Sequence, residues 1–148
     1  MEIEIISRLV LATFLGAVIG LERKLKRKEA GLQTYGLVSL GTCLFTVISF
    51  ELFNLFFEKM GVAFDPSRIV QAVATGVGFI GAGVIFRQQS GVVGLTTAAG
   101  LWVASAIGMA AGAGLYTMSV LGTLLTLLVL AGFGELEGKI FKKEKEPH

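Results

Sequence analysis

Long uncharged apolar runs dictate most of what this chain can become. A bilayer hydrocarbon core of about 30 Å is crossed by about 20 helical residues. Five runs approach that length: Ile3–Leu21, Thr34–Phe57, Ile69–Phe86, Thr96–Ala113 and Tyr116–Phe133. The expected fold is therefore all-α, a polytopic membrane helix bundle with five transmembrane helices. Hydrophobic residues make up 53% of the 148 and charged residues only 16%, whereas a soluble domain carries roughly 25% charged. The first run starts Met-Glu-Ile-Glu, acidic rather than basic, and no small-residue cleavage site follows it. It does not read as a signal peptide and should stay attached.

Lys and Arg set the orientation, because they concentrate in cytoplasmic loops. Arg23, Lys24, Lys26, Arg27 and Lys28 follow the first run, Arg87 follows the third, and Lys139, Lys142, Lys143 and Lys145 follow the fifth. Five spans bring these ten to one side against Lys59 and Arg68 on the other. The N-terminus is expected outside and the C-terminus in the cytoplasm. Residues 1–134 form the transmembrane domain and residues 135–148 a charged tail. Asp65-Pro66 reads as an N-cap followed by proline at the first helical position. Thr34 and Thr96-Thr97 read as hydroxyl caps of the second and fourth spans.

Small residues should hold the helices together, since in lipid close van der Waals contact and polar bonds replace the hydrophobic drive. Ala12, Gly16 and Gly20 recur every fourth residue in the first span, and Gly100, Ala104, Gly108 and Gly112 in the fourth. The third is the densest, with Gly76, Gly78, Gly81 and Gly83 inside Thr75–Val84. At about 100° per residue, Ala74, Gly78 and Ala82 line one side. Ala72, Gly76 and Gly83 fall nearly opposite, with Val73, Val77, Ile80 and Val84 as a bulky stripe between. Two flat faces suggest a central third helix gripped by two neighbours. The alternative is a kink or opened backbone at a site, the floor of a polar pocket facing the cytoplasm.

Enzymatic motifs are missing from the sequence. Gly76-x-Gly78-x-x-Gly81 matches a dinucleotide fingerprint, but that motif needs a preceding strand and a downstream acidic residue. Here the surroundings are one apolar span and the downstream position is Thr96. Cys43 is alone and the only histidine is His148, so disulfide, CxxC-type and histidine-based chemistry are not expected, and neither is an enzyme. Nothing points to nucleic acid.

The polar residues divide by depth. Glu22, Arg23, Gln33, Thr34, Thr96 and Thr97 gather on the cytoplasmic side with Arg87, where the second and fourth helices present N-termini with free N–H groups. Arg8, Glu51, Asp65 and Arg68 gather on the outer side. An Arg8–Glu51 pair is expected, because an unpaired charge at that depth is costly. Mg²⁺ takes octahedral oxygen ligands. Glu22, Glu51 and Asp65 lie near opposite faces rather than at the midplane, so one protomer offers no evident Mg²⁺ site. A ring of Glu22 in an oligomer, or carbonyls freed at the glycines, would rescue a transport role.

Five blocks in order carry a resemblance: Gly16-Ala-Val-Ile-Gly-Leu-Glu-Arg23, Ala30-Gly-Leu-Gln-Thr34, Asp65-Pro-Ser-Arg-Ile69, Gly76–Ile85 and Gly94-Leu-Thr-Thr-Ala-Ala-Gly-Leu-Trp102. Together they resemble the MgtC/SapB family of bacterial membrane proteins. The resemblance implies a multi-pass bacterial inner-membrane protein tied to adaptation to low Mg²⁺ and, in pathogens, to survival inside host cells. It implies a regulatory role on membrane energetics, with a membrane complex such as the ATP synthase as partner. Ion transport is the alternative, and a homo-oligomer, a dimer foremost, is expected. Family-typical polar positions correspond to Arg8, Glu22, Arg23, Thr34, Asp65, Arg68, Thr96 and Thr97. The sequence departs from the family pattern at Gln33-Thr34-Tyr35 and at Val93, and it is expected to be a short form without the soluble C-terminal domain of longer members.

Overall fold

The structure, a computed structural model, describes residues 2–60, 65–89 and 91–134, without the side chains of residues 57–60. The tail assigned to residues 135–148 lies outside the described residues. Helix α1 runs Glu2–Leu25, α2 Leu32–Met60 and α3 Pro66–Gly83. A two-stranded hairpin follows, β1 Phe86–Gln88 and β2 Gly91–Val93, then α4 Leu95–Gly112 and α5 Tyr116–Leu127, which continues as a π-helical turn over Leu128–Phe133. The strands are antiparallel, with Phe86 opposite Val93 and Gln88 opposite Gly91.

Among the described residues, four helical segments are long and apolar enough to cross a membrane: α1, Leu32–Phe56 of α2, α4, and Tyr116–Phe133. Helix α3 has 18 residues but spends its first turn on Pro66-Ser67-Arg68 and carries Gln71 and four glycines. The third apolar run also ends earlier than its composition suggests. Val84 caps α3, and Phe86 already belongs to the hairpin.

The expected centre of the bundle is displaced. Helix α2, not α3, lies between two close neighbours. A methyl group on Gly16 would sit 2.6 Å from the Tyr35 carbonyl oxygen, and one on Gly20 2.6 Å from that of Gly31. On the other flank, a methyl on Gly108 would collide with Ser39 O and Thr42 Oγ1, and one on Gly112 would lie 2.7 Å from Cys43 O. The small-residue stripes of α1 and α4 thus seat both helices directly on the α2 backbone. The main core lies between them, formed by Leu15, Ile19, Tyr35, Leu101, Ala104 and Ile107, with Leu130 from the π turn. A smaller cluster of Ala12, Cys43, Val47 and Ala111 closes the opposite end.

Helix α3 packs mainly on α4, and does so with its bulky stripe. Val73, Val77 and Gly81 are its buried residues, and Gly81 meets Ala98 at ordinary contact distance. The faces holding Gly76, Gly78 and Gly83 have no described atom within 4 Å of where a Cβ would project. The expectation of two gripped flat faces is therefore wrong. Valine against α4 offers more dispersion contact than glycine would, and the hairpin to α4 fixes which side of α3 turns inward.

Hydroxyls supply the polar bonds. Thr42 donates to Ser105 O at 2.9 Å across α2 and α4, and Ser119 donates to Ile107 O at 3.0 Å across α4 and α5. Thr46 and Thr123 donate within their own helices at 2.8 and 2.9 Å. All four hydroxyl residues are buried. Such bonds are worth about 0.6 kcal/mol on average in membrane bundles.

Candidate functional site at the basic end

The loop between α1 and α2 is tightly folded. Lys26 N bonds back to Glu22 O at 3.1 Å and Lys28 N to Arg23 O at 2.9 Å, while Arg27 takes φ 56°. This left-handed residue ends α1 in the manner of a C-cap and leaves Arg27 and Lys28 exposed beside the buried Ala30. Gly31, not Thr34, stands at the start of α2, because Tyr35 N bonds to Gly31 O at 3.1 Å. Thr34 is half-buried in the first turn.

Across from this loop, Gly94 begins α4 at φ 91°, and no side chain caps the helix. Thr96 and Thr97 therefore stand inside the first turn rather than as caps. The first intrahelical bond is Ala98 N to Gly94 O at 2.8 Å. A Cβ on Gly94 would coincide with the Val84 carbonyl oxygen. Glycine is needed there on two counts, positive φ and close approach.

Between loop and helix start lies a cavity of about 470 Å³, lined by Arg23, Arg27, Lys28, Glu29, Gly83, the hairpin, Thr96 and Thr97. Arg23 is only 3% exposed. Its Nη1 stands 3.8 Å from Glu22 Oε2, and its Nε has no hydrogen-bond partner. Glu22 Oε1 lies 2.9 Å from Lys26 Nζ, although off the hydrogen-bonding axis, so neither Glu22 oxygen has a well-aligned donor. Lys26 instead donates to Leu130 O at 2.7 Å. That carbonyl belongs to the π turn. Tyr35, fully buried, donates to Thr97 O at 3.2 Å and so ties α2 to the first turn of α4.

Of the residues expected on this side, Arg23, Thr96 and Thr97 share the cavity, with Gly83 at its wall. Glu22 touches Arg23 but does not line the cavity, and neither does Thr34.

The outer residues do not converge as expected. Arg8 pairs with Glu4 one turn earlier and donates to Gly112 O at 2.9 Å. It does not pair with Glu51. The last carbonyls of α4 lack intrahelical donors and carry partial negative charge, and they lie within reach of the guanidinium. Asp65 caps α3, accepting from Ser67 N at 3.0 Å and from Ser67 Oγ at 2.7 Å. These bonds hold its carboxyl below the usual carboxylate range, the Ser67 hydroxyl contributing most. Arg68 Nε is 3.8 Å from Asp65 Oδ2, and both side chains are largely exposed.

Sequence reasoning missed Lys26, the Arg27–Lys28 rim, Tyr35, the hairpin and the hydroxyl ladder. The last was findable in part, since Thr42 and Thr46 stand one helical turn apart within one apolar run. Among the described residues no three histidine, cysteine, aspartate or glutamate side chains converge as a metal site would require.

YhiD of Escherichia coli is 45% identical over 143 residues, 97% of this chain and 66% of its own length. SapB of Bacillus subtilis is 40% identical over 131 residues, 88% of this chain and 56% of its own. MgtC of Salmonella typhimurium is 38% identical over 123 residues, 82% and 49% respectively. The chain thus spans about half to two thirds of the length of these relatives. No solved structure matches it. The MgtC family model matches residues 9–139, and with four helices able to cross a bilayer the chain is a membrane protein that belongs to the MgtC family.

Proposed function

We propose that this chain is an inner-membrane protein of Mg²⁺ homeostasis that acts through helix association in the bilayer rather than by carrying ions. The observation that carries the reading is the open face of α3. Gly76, Gly78 and Gly83 have open space over them. An apolar groove of about 770 Å³ separates α3 from α2, lined by Leu37, Gly41, Phe45, Ala72, Gly76 and Ile80. Small residues on an unpartnered membrane helix let another backbone approach closely.

The occupant that fits is a second copy. Arg68 is 85% exposed at the groove's outer end, and its own Asp65 is 3.8 Å away and also exposed. In a two-fold dimer the same patch meets itself, and Asp65 of each copy then faces Arg68 of the other at equal depth. Helix α3 crosses the membrane in this reading, with the N-terminus outside and the C-terminus cytoplasmic. The crossing is supported by the α1–α2 loop and the hairpin, which are separated by the two helices α2 and α3 and yet line one cavity. The family resemblance, and not the geometry, suggests a regulatory output on membrane energetics with a complex such as the ATP synthase as the target.

Cross-linking tests it. With Cys43 replaced by serine, a Gly76→Cys variant in native membranes should form disulfide-linked dimers, while Phe14→Cys on the lipid-facing side of α1 should not. YhiD carries a name that proposes magnesium transport, so the same protein belongs in liposomes holding a Mg²⁺-sensitive dye. Mg²⁺ flux without Gly76→Cys dimers would overturn the proposal in favour of transport.

A further inference from the structure

The cavity at the basic end holds donors that are only partly satisfied: Arg23 has Tyr35 and Glu22 as neighbours, yet its Nε has no partner. Leu95, Thr96 and Thr97 open α4 with backbone N–H groups that precede the first intrahelical bond, and no side chain caps them. The N-terminus of an 18-residue helix carries partial positive charge and favours anions. That alone would be a generic feature. The second observation is Arg23, which lines the same cavity, is 3% exposed and keeps its Nε without a hydrogen-bond partner. A buried guanidinium is costly unless paired and hydrogen-bonded. Its nearest carboxylate, Glu22 Oε2, is 3.8 Å away, beyond hydrogen-bond reach, and is shared with Lys26. Arg27 and Lys28 add two more cations at the rim, against one carboxylate, Glu29.

We propose that this cavity binds a phosphate-type oxyanion, held between the Arg23 guanidinium and the free N–H groups of α4, with Arg27 and Lys28 at the mouth. Three oxygens of one tetrahedral group can satisfy the fork of Arg23 and the helix start together, which a monovalent halide cannot do. The Thr96 and Thr97 hydroxyls are further donors. The wall opposite is the hairpin, and Gly83 opens space beside it. An occupied site would couple α1, α4 and the hairpin that positions α3, so the anion bears on how the α3 face is presented. Binding itself does not depend on that face being an interface.

The group could belong to free phosphate in solution or to an anionic lipid headgroup at the membrane surface. The full chain in phosphatidylcholine nanodiscs at low ionic strength, titrated with inorganic phosphate by calorimetry and ³¹P line broadening, tests the first. Saturable binding is expected, weakened about fivefold or more by Arg27→Gln with Lys28→Gln, and tightened about twofold by Glu29→Gln, which removes the one opposing charge. The second arm uses mixed phosphatidylglycerol and phosphatidylcholine vesicles, with native mass spectrometry reading which lipid stays bound. Retention of phosphatidylglycerol that is lost in the same double variant, without phosphate binding, assigns the site to a headgroup. Arg23→Gln is the direct test but risks the fold. The exposed rim variants keep the proposal refutable. It is overturned if neither probe binds, or if binding is indifferent to Arg27, Lys28 and Glu29.

Discussion

Replacing Gly16 by alanine should destabilise the bundle, whereas Gly36→Ala, on the same α1–α2 interface, should not. Both glycines are buried and helical, so intrinsic propensity favours alanine at each by about 1 kcal/mol. The surroundings decide the sign. At Gly36 the new methyl would lie 3.7 Å from Thr13 O and 3.8 Å from the Ala17 Cβ, in ordinary contact. At Gly16 it would lie 2.6 Å from Tyr35 O and 2.7 Å from the Ser39 Cβ, where ordinary contact starts at 3.4 Å. The nearest obstacle is backbone and cannot swing away, so α1 must back off by about 0.8 Å, a gap that forfeits a quarter to a half of the dispersion well at each contact. Overpacking of this kind costs about 1–3 kcal/mol, which exceeds the propensity gain. The two variants should differ by about 2 kcal/mol, roughly thirtyfold in the folding constant. Unfolding in mixed micelles by added SDS, followed by helical circular dichroism and the fluorescence of Trp102, reads the difference. Equal midpoints, or a Gly16→Ala protein more stable than Gly36→Ala, would show that α1 does not sit on the α2 backbone.

Thr42→Val removes the bond to Ser105 O and should cost about 0.6 kcal/mol, up to about 1.7, while Thr126→Val, whose hydroxyl bonds only to Gly122 O in its own helix, should be close to neutral in the same titration. Glu22→Ala removes the carboxylate 3.8 Å from the buried Arg23 and should destabilise by about 1 kcal/mol, whereas Glu29→Ala, exposed on the loop, should shift the midpoint little. The depressed Asp65 carboxyl stabilises the start of α3 only while ionised. That contribution is complete above the ordinary aspartate range and is lost as pH falls through the lowered folded value. Amide protection in the first turn of α3, corrected for the intrinsic pH dependence of exchange, should therefore fall on acidification, and Ser67→Ala should move the onset to higher pH; an onset unmoved by that change would dissociate Asp65 from the cap.

Solvent and local chemistry were legible in the sequence because each depends on neighbours in the chain. Apolar runs require helices in lipid, since each backbone group must be satisfied within its own segment. Asp65-Pro66 caps α3 because the donor, Ser67, is two residues away. The glycine and alanine spacing in α1 and α4 was readable as helix contact for the same reason, as periodicity is a property of one strand of sequence. Assignment of partners was not. Arg8 had several acceptors at similar depth, and only the fold brought Gly112 O to it rather than Glu51. Helix α3 shows the difference most plainly. Its sequence contains two flat faces and one bulky stripe, and lipid is as apolar as any of them, so hydrophobicity cannot say which turns inward. The hairpin and the Gly94–Val84 contact decided it, by fixing how α3 turns back to meet α4. They turned Val73 and Val77 inward, left Gly76, Gly78 and Gly83 open, and placed the first turn of α4 opposite Arg23. These are long-range placements, set by which helices touch, and no window of sequence contains them.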